Sequence, residues 1–574
     1  MREVILDIET DGLKPTKVWV VVIRDIHTKE VSILRNPTHE SLREFMGGVT
    51  HIIGHNIIAY DICVLNRLLG FDSSSAKLTD TMVLSRLCNP SMEGGHSLRE
   101  WGIRLKLHKG DYDDWSQLTD DMVDYCVQDV LVTHATYDYL VQKLAPFGTE
   151  SIELEHKVQE IIAGQIQNGW LLDQAQAVDL LGTLYEKKIQ LEQSVRDTFK
   201  PLPVFVKEIH PKTKKDGSLS TVGLKFLGDD ADLVAGPFSR IEYPEFNLGS
   251  RQQIGKYLRW FGWVPKDFTE NGQPIVDEKV LSNVKDIPEA QLIGEYLLVQ
   301  KRIAQVESWV DAVEEDGRVH GYVNPIGAVT GRMTHNSPNM AQVPAGYSPY
   351  GKECRSCWTV PKGFKLVGCD ASGLELRMLA HYMNDAAYTK EILHGDIHTA
   401  NQEAAGLATR DQAKTFIYAF LYGAGDAKIG SITGGTARAG RRLKEKFLSN
   451  TPALADLRER VGTASNRGYL TGLDGRKLWI RSPHAALNTL LQSAGAVVMK
   501  KALTILDEYA KIYNIQYKFV GNIHDEIQAE VREDQAQTFG WLAVECIKAA
   551  GVQLKLRCPL DGDFKIGETW AQTH

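Results

Sequence analysis

Arg410–Gly423, RDQAKTFIYAFLYG, decides how this chain is read. Arg410, Lys414, Tyr418 and Tyr422 recur every four residues, and at helical pitch each such step drifts only about 40° around the axis. Two cations and two aromatic rings therefore stack along one face. A guanidinium and an ammonium there grip phosphates while the rings lie against a base or sugar, so the face fits a nucleoside triphosphate. A solvated basic stripe flanking core aromatics fits the same spacing. Two acidic segments elsewhere decide between these readings.

In KLVGCDASGLELR, Leu366 to Cys369 form a short apolar run that reads as a buried strand; Asp370 stands at its end and a helical stretch starts at Leu374. In FVGNIHDEIQAEV, Phe519 to Ile523 and Ile527 to Val531 read as two strands meeting at His524-Asp525-Glu526. Carboxylates at such a turn have no expected part in building the fold. Two of them converging on one point repel unless a hard divalent cation lies between, and oxygen donors select Mg2+ over softer metals. A pair of such ions activates an attacking hydroxyl and neutralises a leaving oxygen in phosphoryl transfer.

Together the segments DASGLELR, RDQAKTFIYAFLYGAG and HDEIQ resemble motifs A, B and C of the family A DNA polymerases, in the order that family carries them. They look most like the replicative polymerases of short-tailed bacteriophages, as do GDIHT, NPIGAVTGR and SPHAALNTLLQSAGA between them. The resemblance implies an α/β multidomain chain: an RNase H-like 3′-5′ exonuclease domain followed by a right-hand polymerase. It places the exonuclease at 1–147, a thumb with connecting segment at 148–322, palm at 323–372, fingers at 373–481 and palm again at 482–574. The implied reaction is DNA-dependent DNA synthesis, adding deoxynucleotides to a primer 3′-OH, with proofreading.

The residues carry the first of these boundaries independently. The strand VILDIET opens an α/β stretch that runs to a helix around Asp121 to Leu144, and Pro146-Phe147-Gly148 marks a boundary. From Ser151 long helices are expected, with Asp173 as an N-cap and Val178, Leu181 and Tyr185, beside Leu180 and Leu184, at helical spacing. Between Lys200 and Phe246 that periodicity breaks, and Lys207, Lys212, Lys214 and Lys215 make a basic patch in a loop or small subdomain. In the phage relatives an insertion at this place docks host thioredoxin as a processivity factor. The segment 200–246 is shorter and less basic than that insertion, and a thumb loop touching duplex phosphates fits it equally.

The 574 residues carry a formal net charge of −8, which taken alone argues against a polyanionic partner. Metal-binding carboxylates account for negative charge that cations neutralise, and a local groove is enough for DNA; Arg441, Arg442, Lys444 and Lys446 supply one. Eight scattered cysteines do not make a disulfide framework and suit a reducing cytoplasm, here that of an infected bacterial host. Cys354 and Cys357 form a CxxC pair without a second pair or a suitably spaced histidine, so they read as structural. No apolar run reaches transmembrane length and no signal peptide precedes Val4 to Ile8.

Asp7 and Glu9 lie two apart on one strand and so point to the same side. With Asp61 in GHNIIAYDICVL, and Asp129 and Tyr125 in DYCVQDVLVT, they resemble the Exo I, II and III motifs of the DEDD-type exonucleases, in the subgroup with tyrosine. That resemblance makes Asp7, Glu9, Asp61 and Asp129 ligands of two Mg2+ ions and Tyr125 the residue that orients water. For synthesis it makes Asp370 and Asp525, with the carbonyl of Ala371, ligands of two more. Arg410, Lys414 and His398 are then phosphate contacts, with Lys414 a proton donor to pyrophosphate. Glu526 ranks below the two aspartates as a ligand.

Glu375 stands where the family excludes a ribose 2′-OH, and Tyr422 is expected to hydrogen-bond it. Tyr418 occupies the position that governs dideoxynucleotide discrimination. Arg332, Gln492 and Asn488 match minor-groove contacts, with Gln342 a weaker candidate, and His524 touches the primer terminus. Expected partners are primer–template DNA and dNTPs, with host thioredoxin as a processivity factor and a phage helicase-primase as further candidates, and no membrane. Two other classes compete: an exonuclease fused to an RNA polymerase palm, disfavoured by Glu375, and a non-catalytic DNA-binding scaffold, disfavoured by the intact Asp370, Asp525, Arg410 and Lys414.

Overall fold

The computed structural model describes residues 2–108, 110–220, 222 and 224–574. It divides into two compact units: residues 1–173 with 312–574, and Gln174–Asp311.

The first unit opens on a five-stranded sheet in the order β3-β2-β1-β4-β5, formed by β1 (Arg2–Thr10), β2 (Val18–Asp25), β3 (Val31–Arg35), β4 (Val49–Gly54) and β5 (Lys77–Asp80). β1 runs antiparallel to β2 and parallel to β4. Alternation sends Val4, Leu6 and Ile8 into a core with Ile57, Val64 and Leu65, and Ile5 into a second core with Val123, Cys126 and Val130 on the other face. Those last three belong to the helix Asp120–Leu144, started by Thr119, whose side chain accepts the Met122 amide. Asp7 and Glu9 follow Ile5 at the strand's period of two, on the face this helix covers.

The second sheet of this unit is antiparallel, in the order Tyr517–Ile523, Glu526–Arg532, Phe364–Ala371, Gly562–Gly567. Its apolar side shares one core with the long helix Ala486–Ile512, with Ala536–Gln553, and with the buried face of Arg410–Leu421: Ala413, Phe416, Ile417 and Phe420. Gly368 is required in this sheet, because a Cβ there collides with Gln528 and the Thr573 carbonyl. Cys354 and Cys357 are buried thiols.

The helix Glu150–Asn168 joins the two sheets. His156 Nε2 accepts the Asp80 amide at 2.8 Å, and Asn168 donates to the Phe519 carbonyl at 2.9 Å. Between these contacts Glu155 lies buried, 2.6 Å from both Lys500 Nζ and Arg476 Nη1, and Arg476 also binds Asp474 at 2.7 Å. Burial, opposed by Glu155, holds the Lys500 pKa down to about 8. Removing one partner of such a pair leaves an uncompensated buried charge, so Glu155→Gln is expected to cost about 3–5 kcal/mol. Chemical denaturation checks this; a change under about 1 kcal/mol, the size of a solvated pair, would contradict it.

In the second unit the helices Gln174–Thr198 and Pro288–Asp311 run alongside each other, tied by Lys187–Glu295 at 2.8 Å and by Tyr185 with Glu307. Here the expected apolar face shifts. Leu180 and Leu184 are buried as expected, but their companions are Ala177, Leu191 and Val195, whereas Val178 and Tyr185 are exposed. Helical spacing admits both Ala177–Leu180–Leu184 and Val178–Leu181–Tyr185, and the first of these is the face that is buried. Within 200–246 the strands Val204–Ile209 and Phe238–Glu242 pair antiparallel, and Lys207, Lys212, Lys214 and Lys215 are exposed. Among the described residues no helix is long and apolar enough to cross a membrane.

Candidate active site

Asp370 is the last residue but one of Phe364–Ala371 and lies opposite Glu526 on one neighbouring strand and Asp563 on the other. Asp525 arrives from the hairpin turn between Tyr517–Ile523 and Glu526–Arg532, and its carbonyl accepts the Ala371 amide at 3.2 Å. The turn has two residues, and His524 sits there at φ 56°, a left-handed conformation that a side chain takes only where the surroundings impose it. Like charges facing each other across strands repel. Partial burial, then the Asp525 and Glu526 charges, push the Asp370 pKa up to about 6 although its tip is open to solvent. Asp525 is shifted upward as well, by burial first, with Arg332 opposing. An oxygen-only donor set carrying surplus negative charge suits a hard divalent cation.

One carboxylate of this group departs from expectation. Glu526 is buried and does build the fold: Trp570 Nε1 donates to its Oε1 at 2.9 Å, the Gln528 amide also binds Oε1, and His574 Nδ1 donates to Oε2 at 2.6 Å. Gln528 belongs to the motif itself, but Trp570 and His574 lie 44 and 48 residues away, and the local motif carries no sign of them. Asp525 lacks that enclosure and faces Arg332 Nη2 at 4.0 Å.

Arg332 also reaches Glu375 Oε1 at 3.4 Å, and Tyr422 Oη donates to the same oxygen at 2.7 Å. Tyr422 follows immediately after the helix Arg410–Leu421, begun by a capping box of Thr409 and Gln412. On the outer face Lys414 makes no hydrogen bond or ion pair among the described residues. Tyr418 is half-buried, its ring centroid 6.3 Å from that of His398. Burial and then the Arg410 charge hold His398 below its usual pKa, and its Nδ1 is buried with no hydrogen-bond partner among the described residues. Arg410 is bound by Asp396, a residue the sequence reading left without a role. Asn488 and Gln492 lie half-buried one turn apart on Ala486–Ile512, and His524 and Gln342 are exposed.

The first sheet carries a separate acidic cluster. Donor atoms of Asp7, Glu9 and Cys126 lie within 4.8 Å of one another, and the Cys126 thiol donates to Asp7 Oδ2 at 3.5 Å. Cys126 escapes a reading that looks for carboxylates; its place between Tyr125 and Asp129 is the only signal. Asp61 opens the helix Asp61–Leu69 and is buried; burial first, then the charges of Asp80 and Asp129, push its pKa up to about 8. Asp129 is buried one turn after Tyr125, which packs with Tyr112 at 5.8 Å and Trp115 at 6.0 Å. Asp80, also missed, accepts the amides of Asn56, Ile58 and Met82 and so fixes the loop leading to Asp61. A cleft of about 1270 Å³, lined by residues that include Leu13, Tyr60, Ile62 and Arg67, passes on both sides of Asp61 in sequence.

With this geometry in view, a sequence model described as DNA polymerase family A matches residues 228–572. The chain belongs to that family. It is 36% identical to the DNA-directed DNA polymerase of Enterobacteria phage T3 over 99% of both chains, and 36% identical to that of Escherichia phage T7 over 100% of both. This family A polymerase is therefore of the phage T3 and T7 type. Its fold matches the solved POL domain of Pol1 from M. smegmatis, in complex with DNA primer-template and dNTP, with a TM-score of 0.80 at 18% identity over 100% of this chain and 96% of that one.

Proposed function

We propose that the polymerase replicates DNA from a primer at the Asp370–Asp525 centre and removes misplaced 3′ nucleotides at the Asp7–Glu9–Asp61–Asp129 centre. One observation carries the first half. A continuous run of contacts, Tyr422 to Glu375 to Arg332 to Asp525 to Ala371, ties the cationic helix to the strand-end carboxylates. A triphosphate held by Arg410, Lys414 and His398 then extends toward Asp370. Primer extension on a primed template, with deoxy- and ribonucleotides compared, tests it; absence of template-directed extension would overturn it.

At the synthetic centre Asp370, Asp525 and the Ala371 carbonyl would hold two Mg2+ ions, which when bound lower the pKa of the primer hydroxyl and neutralise charge on the transferring phosphate. The chain's own residues do the rest. Arg410 and Lys414 hold the outer phosphates, and Lys414 donates a proton to the departing pyrophosphate. Glu375, fixed by Tyr422 and Arg332, fills the space a 2′-OH would need. Arg332, Gln492 and Asn488 read acceptors on the minor-groove edge, and His524 meets the primer end. The domains proposed are an exonuclease at 1–147, a thumb with connecting segment at 148–322, palm at 323–372, fingers at 373–481 and palm at 482–574; of the thumb span, Gln174–Asp311 forms the separate compact unit.

Tyr418, whose ring neighbours that of His398, is the proposed sugar contact, where a phenol would substitute for the missing 3′-OH of a dideoxynucleotide. Tyr418→Phe is expected to raise discrimination against dideoxynucleotides by about tenfold or more, the worth of one hydrogen bond. The ratio of dNTP to ddNTP incorporation efficiencies measures it, and an unchanged ratio would count against this role.

At the second centre the acidic cluster on the five-stranded sheet, covered by Asp120–Leu144, supports removal of nucleotides from a 3′ end drawn along the cleft beside Asp61. Tyr125, braced by Tyr112 and Trp115, orients the attacking water. The segment 200–246 is where a processivity factor would dock; synthesis measured with and without thioredoxin tests that partner.

A further inference from the structure

Asp396 is the N-cap of the helix Ile397–Ala405. Its Oδ1 accepts the amides of His398 at 3.1 Å and Thr399 at 3.4 Å, and its Oδ2 accepts the Thr399 hydroxyl at 2.9 Å. Both oxygens are thus anchored to a helix terminus, whose partial positive charge also favours the ionised form. Against this fixed carboxylate Arg410 lays one edge of its guanidinium: Nε to Oδ2 at 2.6 Å and Nη2 to Oδ1 at 3.2 Å. The fork uses the Nε hydrogen and one on Nη2, leaving Nη1 and the remaining Nη2 hydrogen for another acceptor.

We propose that Asp396 is a positioning residue for the triphosphate site. It holds Arg410 in one orientation, so that the unused guanidinium hydrogens meet the outer phosphates, and through the same cap it sets His398 two residues on. A long arginine loses rotamer freedom when it binds a ligand, and an arginine already clamped to a rigid cap has lost it beforehand. Lys414 has no such clamp and acts as a mobile point charge. The inference rests on the reading of Arg410 as a phosphate ligand.

Asp396→Asn separates the two duties of the residue, because asparagine caps helices as well as aspartate does but cannot offer the charged fork. The pair is about half exposed, at 52% for Arg410 and 43% for Asp396. The expected effect is therefore modest: the KM for dNTP rises by about fivefold, the upper end for an exposed ion pair, with kcat held within about twofold. Asp396→Ser, which also caps, gives the same rise and guards against a folding defect in either variant. In an Arg410→Ala background Asp396→Asn adds nothing further.

A KM that is unchanged or lower in both Asp396 variants overturns the proposal, the lower value making Asp396 a competitor of the phosphates. Full additivity with Arg410→Ala overturns it too, since the effect would not pass through Arg410. If Arg410→Ala itself leaves KM unaltered, it is the phosphate-ligand reading that fails.

Discussion

Asp370→Asn is expected to reduce primer extension by about a thousandfold or more, the scale of losing a preorganised charge at a reacting phosphate, while 3′-end degradation continues. Asparagine keeps the shape of the side chain and removes the charge that a divalent cation needs. Because Asp370 stands opposite Glu526 and Asp563 and beside Asp525, the same change relieves repulsion, so the chelated variant should melt no lower than the parent protein. Loss of activity with unchanged or raised Tm separates a catalytic role from damage to the sheet.

The pH dependence has a definite sign. With its pKa raised to about 6, Asp370 in the folded, chelated protein holds a proton at pH values where an unfolded aspartate does not. Its ionisation therefore destabilises that state as pH rises through about 6, and a cation must displace the proton below it. In a background with Asp7→Ala and Glu9→Ala, which disables the other centre, Mn2+ binding should weaken as pH falls from 7 to 5, and Asp370→Asn should reduce that dependence. Extension by Asp370→Asn within tenfold of the parent would sink the assignment.

Asp7→Ala with Glu9→Ala is expected to lower degradation of a mismatched primer end by about a thousandfold or more and to leave extension intact. The two side chains share one face of β1 under the helix that carries Tyr125, Cys126 and Asp129. Nearby Asp61 is pushed up to about 8, by burial first and then by the charges of Asp80 and Asp129. Persistent exonuclease activity in the purified double variant would refute the site. A fall in extension alongside would mean that the change is felt beyond the first sheet, and the helix Glu150–Asn168, bonded to both sheets, is the route by which it would be.

Much of this was legible in the residues because the local chemistry is periodic. The four-residue spacing put Arg410, Lys414 and half-buried Tyr418 on a helix whose inner face is Ala413, Phe416, Ile417 and Phe420, with Tyr422 at its C-cap. The alternation of Asp7 and Glu9 put them on one side of β1, and the apolar run before Asp370 gave a strand ending in a carboxylate. Tyr422 does bond Glu375, as the motif resemblance implied. Where two faces were equally apolar the pattern was insufficient, and in Gln174–Thr198 contact with Pro288–Asp311 buried Ala177 in preference to Val178.

Sequence by itself determined the elements and the order of the chemistry: strand-end acids, a cationic helix, a second set of acids near the start, each fixed by interactions within a few residues. Tertiary structure alone decided which charges are spent on the fold and which face the reaction. Glu526 is taken up by Trp570 and His574, and Glu155 by Lys500 and Arg476, whereas Arg410 is only steadied by Asp396 and keeps guanidinium hydrogens free. The reason is physical. A carboxylate's availability depends on which donors surround it after folding, and those donors come from distant segments that no local spacing encodes.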